Sequence, residues 1–228
     1  MHIASANGHL EIVKELLQVD RRLSQVKGRD QCTALHYAAR RGRIEIIKEM
    51  VSACSECVED VTEQGETVFH LAVKNNQFEA IDAMVELVLE RNKLDILNMK
   101  DNNGNSVLHL ATWKKQHQVV QCLLANKGTS TPGTLDVNSV NQSGLTALDL
   151  LLIFPSGAGD LEIDGILSGA GALRARDIAH TNHNLTVLSV PAASESHDIV
   201  CSWTQKVWWS TSSSKGSETL LMTHEPLC

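Results

Sequence analysis

Apolar side chains recur along the chain in short blocks with the 3.6-residue period of an amphipathic helix, and polar turns separate the blocks. Leu10, Ile12, Val13, Leu16 and Leu17 form one such block; Ile44, Ile46, Ile47, Met50 and Val51 form a second, and Phe78, Ala80, Ile81, Met84 and Val85 a third. Each predicts a helix with one buried face. A shorter segment with paired small residues precedes the later blocks, as Ala38-Ala39, Ala72-Val73 and Ala111-Thr112. Small side chains there let a first short helix pack closely on a neighbour.

The blocks belong to a repeat. Thr33-Ala-Leu-His36, Thr67-Val-Phe-His70, Ser106-Val-Leu-His109 and Thr146-Ala-Leu-Asp149 each follow a turn-forming stretch. His36, His70, His109 and Asp149 are spaced by 34, 39 and 40 residues, and a step of 34 back from His36 reaches His2. Six places after each histidine stands Gly8, Gly42 or Asn76, types that accept the left-handed conformation ending a helix, with Lys115 strained in that place in the fourth copy. Gly65, Gly104 and Gly144, with Asp101 and Asn141, supply the reversals between units. The expected architecture is an all-α solenoid of helix-turn-helix units joined by β-turn or hairpin loops. It covers residues 1–173 as about five repeats: a partial 1–26, then 27–60, 61–99, 100–139 and an atypical 140–173. Such units lack interiors of their own and bury their faces on one another. Residues 174–228, rich in Ser and Thr, read as a mostly disordered tail.

The pattern T-A-L-H-x-A-A-x-x-G-x-x-E-I-I resembles the ankyrin repeat, with Ala or Val in place of the usual Pro after Thr. Ile166-Leu-Ser-Gly-Ala-Gly-Ala-Leu-Arg-Ala-Arg-Asp177 is similar to the segment closing the array in plant ankyrin-repeat proteins that continue into a PGG domain of membrane helices. Ser217-Glu-Thr-Leu-Leu-Met222 resembles the residues just before the first of those helices. The resemblance implies a non-catalytic adaptor in plant defence or stress signalling, in a family anchored at the cytoplasmic face of the plasma membrane. This sequence is expected to lack the PGG and transmembrane part and to be truncated at its N-terminus, so a membrane partner is expected only where such a region is present.

Composition narrows the function classes. Aromatic residues are 4% of the chain, which suits small repeated helices better than a sandwich or barrel. The net charge of -7 is unevenly spread, +3 over residues 1–50 and -6 over 51–100. A general nucleic-acid binder needs a continuous basic face, so nucleic acid is not an expected partner. Cys32, Cys54, Cys57, Cys122, Cys201 and Cys228 are irregularly spaced, which suits a reducing compartment and a soluble, cytoplasmic protein. No apolar run is long enough to cross a bilayer.

Candidate chemistry is sparse. His36, His70 and His109 recur at one position of successive units, so they form a ladder and not a metal cluster, each bonding backbone or a nearby hydroxyl. Cys54-Ser-Glu-Cys57 is a CxxC pair without a second pair for zinc or a βαβ context for thioredoxin-like chemistry; a thiol-based metal or redox switch there is the alternative function. A second alternative is a truncated product with no function of its own. No phosphate-binding glycine loop and no nucleophile elbow occurs, so no enzyme activity, cofactor, metal or small-molecule substrate is expected.

Positions 1, 4 and 5 after each histidine are not needed for packing and are expected to face the concave side. They present Tyr37, Arg40 and Arg41, then Leu71, Lys74 and Asn75, then Leu110, Trp113 and Lys114, a basic strip with an aromatic at each end. Arg, Tyr and Trp are enriched at interface hot spots. The plainer alternative for Arg40, Arg41 and Arg43 is pairing with Glu63 and Glu66. Trp203, Trp208 and Trp209 in the tail are assigned no role.

Overall fold

The computed structural model describes residues 1–125, 135–153, 157 and 159–181, with backbone alone for 179–181. They belong to one compact unit, Met1–His183. The expected tail beyond residue 181, with its three tryptophans, lies outside the described residues.

Five helix pairs account for the repeats. The first members are α1 (His2–Asn7), α3 (Ala34–Arg40), α5 (Val68–Lys74), α7 (Val107–Trp113) and α9 (Ala147–Ile153). The second members are α2 (Leu10–Val19), α4 (Ile44–Ala53), α6 (Phe78–Glu90), α8 (His117–Leu124) and α10 (Gly159–Gly169). First helices pack on first helices and second on second along the array, α1 on α3 through to α9, and α2 on α4 through to α10. The core lies between these two rows, with Leu35, Phe69 and Leu108 from the first row and Ile47, Ile81 and Val120 from the second, all fully buried. No strand is present among the described residues.

The short first helices end where the sequence stops favouring a right-handed continuation. Gly8 and Gly42 lie at φ 88° and 65°, Asn76 and Lys115 at 57° and 56°. A non-glycine residue in that region costs on the order of 1–2 kcal/mol. Between units the chain reverses in hairpins: Thr62, Asp101 and Asn141 donate their N–H groups to the carbonyls of Glu66, Asn105 and Leu145. Neighbouring hairpins are joined edge to edge, Glu63 N–H to the Asp30 carbonyl, Asn102 to Gln64 and Gln142 to Asn103, at 2.9–3.0 Å. Gly104 must lack a side chain, because a Cβ there would stand 2.6 Å from the Gln142 nitrogen.

Two features differ from the sequence expectation. Ile12 is 52% exposed although its counterparts Ile46 and Ala80 are buried, because nothing among the described residues packs over that side of α2. At the other end the order continues past residue 173 into α11 (Ala175–Thr181). The link is held by Asp149, whose carboxylate accepts from Ala175 N–H at 2.9 Å, and by Thr146, whose hydroxyl donates to the Leu173 carbonyl at 3.0 Å. Those bonds are made by the polar residues of the fifth repeat, and no hydrophobic period announces them.

Candidate protein-binding face

Each first helix is set by a reciprocal cap. The backbone N–H of Thr33, Thr67 and Ser106 donates to Nδ1 of the histidine three residues on, at 3.2 Å in each case. The capping hydroxyl meets the same nitrogen at 2.9, 2.8 and 2.8 Å. This is the capping-box arrangement with His in the place of Glu or Gln. Because Nδ1 accepts a backbone N–H, the ring proton resides on Nε2. That nitrogen reaches the following unit: His70 donates to the Asn105 carbonyl at 3.0 Å and His109 to the Leu145 carbonyl at 3.1 Å. His36 Nε2 faces the Glu66 and Asp60 carbonyls without hydrogen-bond geometry at either. Burial pushes all three below the ordinary imidazole value, His36 to about 4. His70 and His109 therefore join units as neutral groups, and His36 is neutral within its own cap. His2 differs: half-buried, it bonds the Val26 carbonyl at 2.9 Å and meets Tyr37 edge to face at 5.6 Å.

With the first helices fixed in register, positions 4 and 5 after each histidine fall along one face. Arg40 and Arg41 are exposed and make no ion pair or side-chain hydrogen bond among the described residues. Glu66, their expected partner, is instead paired with Lys74 of its own repeat. Arg43 turns away and donates from Nε to the Ala6 carbonyl at 3.3 Å, over Gly8. Lys114 donates to the Lys74 carbonyl at 2.6 Å. Burial, with the neighbouring charge of Lys74, holds the Lys114 ammonium below the usual lysine range. Asn75 ties back to the Leu71 carbonyl at 2.8 Å, and Tyr37 and Trp113 are half-buried.

The position directly after the histidine corrects the sequence reading. Leu71 and Leu110 are 7% and 5% exposed, so they pack between first helices and present little to a partner. Ile3, the same position in the first repeat, is 77% exposed and extends the face; its offset from His2 was the available signal. The candidate strip thus narrows to Ile3 and Tyr37, the Arg40–Arg41 pair, and Trp113 beside Lys114, with Lys74 and Asn75 held by internal bonds between them.

Other groups are dispersed. Cys54 and Cys57 are free thiols near the end of α4. Among the described residues no group of three or more His, Cys, Asp or Glu side chains is placed to hold a metal ion, and no helix is long and apolar enough to cross a membrane.

Comparison with known proteins agrees with this geometry. Residues 1–93 and 54–132 match the family model for ankyrin repeats in three copies. Over 58 residues the chain is 43% identical to the ankyrin repeat-containing protein BDA1 of Arabidopsis thaliana, a stretch that is 25% of this chain and 12% of that protein. Ankyrin repeats are in general non-catalytic modules that hold protein partners. Repeat spacing, capped first helices, stacked rows and a family match over more than half its length make this chain a member of the ankyrin-repeat family.

Proposed function

We propose that the chain is a non-catalytic adaptor whose first-helix face binds an acidic or mixed-charge segment of a partner protein. The carrying observation is the exposed Arg40–Arg41 guanidinium pair, unpaired among the described residues, with half-exposed Tyr37 and Trp113 toward either end. Arg presents planar donors that fit carboxylates in pairs, and Arg, Tyr and Trp supply hot-spot energy on the order of 2 kcal/mol or more each. Lys114, partly desolvated, adds charge beside Trp113. Lys74 and Asn75, both held by internal acceptors, separate these ends, so an extended segment with acids toward its Arg40–Arg41 end fits best. Plant defence or stress signalling is the proposed setting; its supports are the plant-type segment Ile166–Asp177 and the partial match to a plant ankyrin protein.

The test is affinity capture from plant extract with the wild type and with a Trp113→Ala/Arg41→Ala variant. The variant should lose a subset of partners, and wild-type capture should weaken as salt rises. Identical partner sets from the two proteins would remove the face assignment.

A further inference from the structure

Four times among the described residues a side chain flanking a helix start touches the side chain three residues on: Thr33 with His36, Thr67 with His70, Ser106 with His109, and Thr146 with Asp149, at 2.8–3.0 Å. The same spacing occurs a fifth time with two thiols. After α4 the chain makes a 3-10 turn over Ser55–Glu59, with Cys54 flanking it and Cys57 third within it. The Cys57 N–H bonds the Cys54 carbonyl at 3.4 Å, closing the turn. Side chains three apart in such a turn lie over one another, and the Cys54 thiol is near enough to help raise Cys57.

The two sulfurs differ in surroundings. Cys54 is partly exposed, its thiol 3.9 Å from the Glu56 carboxylate. Cys57 is fully buried and donates to the Ser24 hydroxyl at 3.1 Å. Ser24 is buried too, and its own proton goes to the Arg21 carbonyl at 2.7 Å. The Cys57 thiol is therefore a tie from the second repeat to the turn Arg21–Ser24 that follows α2 in the first.

We propose that Cys54 and Cys57 form a reversible disulfide when the protein meets a hydroperoxide, and that the bond releases the first repeat's turn from the second. In the first step the Cys54 thiolate attacks the outer oxygen of the peroxide. An S–O bond forms, the O–O bond breaks, and the departing alkoxide or hydroxide takes a proton to leave as alcohol or water. In the second step Cys57 gives its proton to solvent and its sulfur attacks that of the Cys54 sulfenic acid; the S–S bond forms, the S–O bond breaks and water leaves. The two thiols together lose two electrons, and the peroxide gains them. Burial and the Cys54 thiol push Cys57 up to about 12, so the second step is slow at neutral pH and accelerates as pH rises. Once oxidised, Cys57 has no proton to give Ser24.

The full chain is treated with hydrogen peroxide, alkylated and mapped by mass spectrometry, with and without later dithiothreitol. The expected product is a peptide containing Cys54 and Cys57 that is two hydrogens lighter and unalkylated at both, restored by dithiothreitol and formed faster at pH 9 than at pH 7. Cys57→Ser keeps a hydroxyl donor for Ser24 and is expected to fold and to leave a dimedone-reactive sulfenic acid on Cys54. Cys54→Ala keeps the Cys57–Ser24 bond and is expected to leave Cys57 unoxidised. Hydrogen exchange should rise in Leu10–Ser24 of the oxidised wild type. Two unlinked alkylated cysteines, Cys54 joined to a different cysteine, or over-oxidation at Cys54 in the wild type overturns the disulfide; unchanged exchange over Leu10–Ser24 overturns the release.

Discussion

The ammonium of Lys115 lies 3.1 Å from the Asp160 carboxylate and donates to the Leu151 carbonyl at 3.2 Å, while its own backbone is held at φ 56°. A strained residue in the fourth repeat thus fastens the fifth. In this position the first two repeats carry glycine and the third asparagine, and here the local cost is offset by bonds that only a long cation can make. Lys115→Gly should relieve about 1 kcal/mol of backbone strain and forfeit a comparable amount from the half-buried pair, leaving stability within about 1 kcal/mol of wild type. Asp160→Asn alone should destabilise, and in that background Lys115→Gly should be less costly than in wild type. A double-mutant cycle by urea denaturation checks this; strict additivity would remove the coupling.

Glycines with the same dihedral angles should differ in tolerance. Gly104 and Gly144 have φ 76° and 72°, so alanine at either incurs the left-handed penalty of about 1 kcal/mol. At Gly144 a Cβ meets nothing within 4 Å, whereas at Gly104 it meets the backbone of the next hairpin at 2.6 Å. Gly144→Ala should therefore cost about 1 kcal/mol and Gly104→Ala clearly more. Equal melting temperatures for the two variants would show that the hairpin edges are not in register.

The order of these elements was legible because the repeat writes its physics at fixed offsets: Thr or Ser at the cap, His three later, a left-handed residue six beyond. The stacking of rows followed from the apolar offsets. What escaped was anything depending on a partner outside the fixed offsets of the repeat. Leu71 and Leu110 are buried by neighbouring first helices, Glu66 is taken by Lys74, and the Asp149–Ala175 bond carries order past residue 173. Each is a cross-repeat or tertiary pairing that a single-unit pattern does not encode. Exposure of Arg40 and Arg41 was readable; their freedom from Glu66 was not.

Acid should loosen the array through its histidines. His36, His70 and His109 have folded-state values below the unfolded value near 6.5, His36 about 4. Above pH 6.5 the rings are neutral in both states and stability is full. As pH falls from there toward 4 the unfolded chain binds protons that the folded chain refuses, and stability declines, by up to about 3 kcal/mol for His36. Protonation would set a second N–H against the capping backbone N–H at Nδ1. His70→Gln, which can keep the cap but loses the bond to Asn105, should cost about 1–3 kcal/mol at pH 7 and make the decline between pH 6.5 and 5 shallower. A denaturation midpoint that stays level over that range, or a decline unchanged in His70→Gln, would refute this account.

The narrowed candidate strip predicts which substitutions separate binding from folding. Arg41 and Arg40 are exposed and unpaired among the described residues and Trp113 is half-exposed, so Arg41→Ala should shift unfolding free energy by no more than about 0.5 kcal/mol and Trp113→Ala by somewhat more. Leu71→Ala and Leu110→Ala delete nearly buried side chains between first helices and should each cost about 2–4 kcal/mol. Any loss of partner binding in the leucine variants would then follow their loss of folded structure, tracking denaturant midpoint, while loss in Arg41→Ala would occur at wild-type stability. Lys74→Ala falls between, since it frees the 6%-exposed Glu66 carboxylate without a counter-charge and should destabilise more than Arg41→Ala despite carrying the same charge change. Paired measurements of melting and of partner capture on these variants distinguish the two roles. Arg41→Ala destabilised as strongly as Leu71→Ala would place Arg41 in the packed interior and take it out of the face.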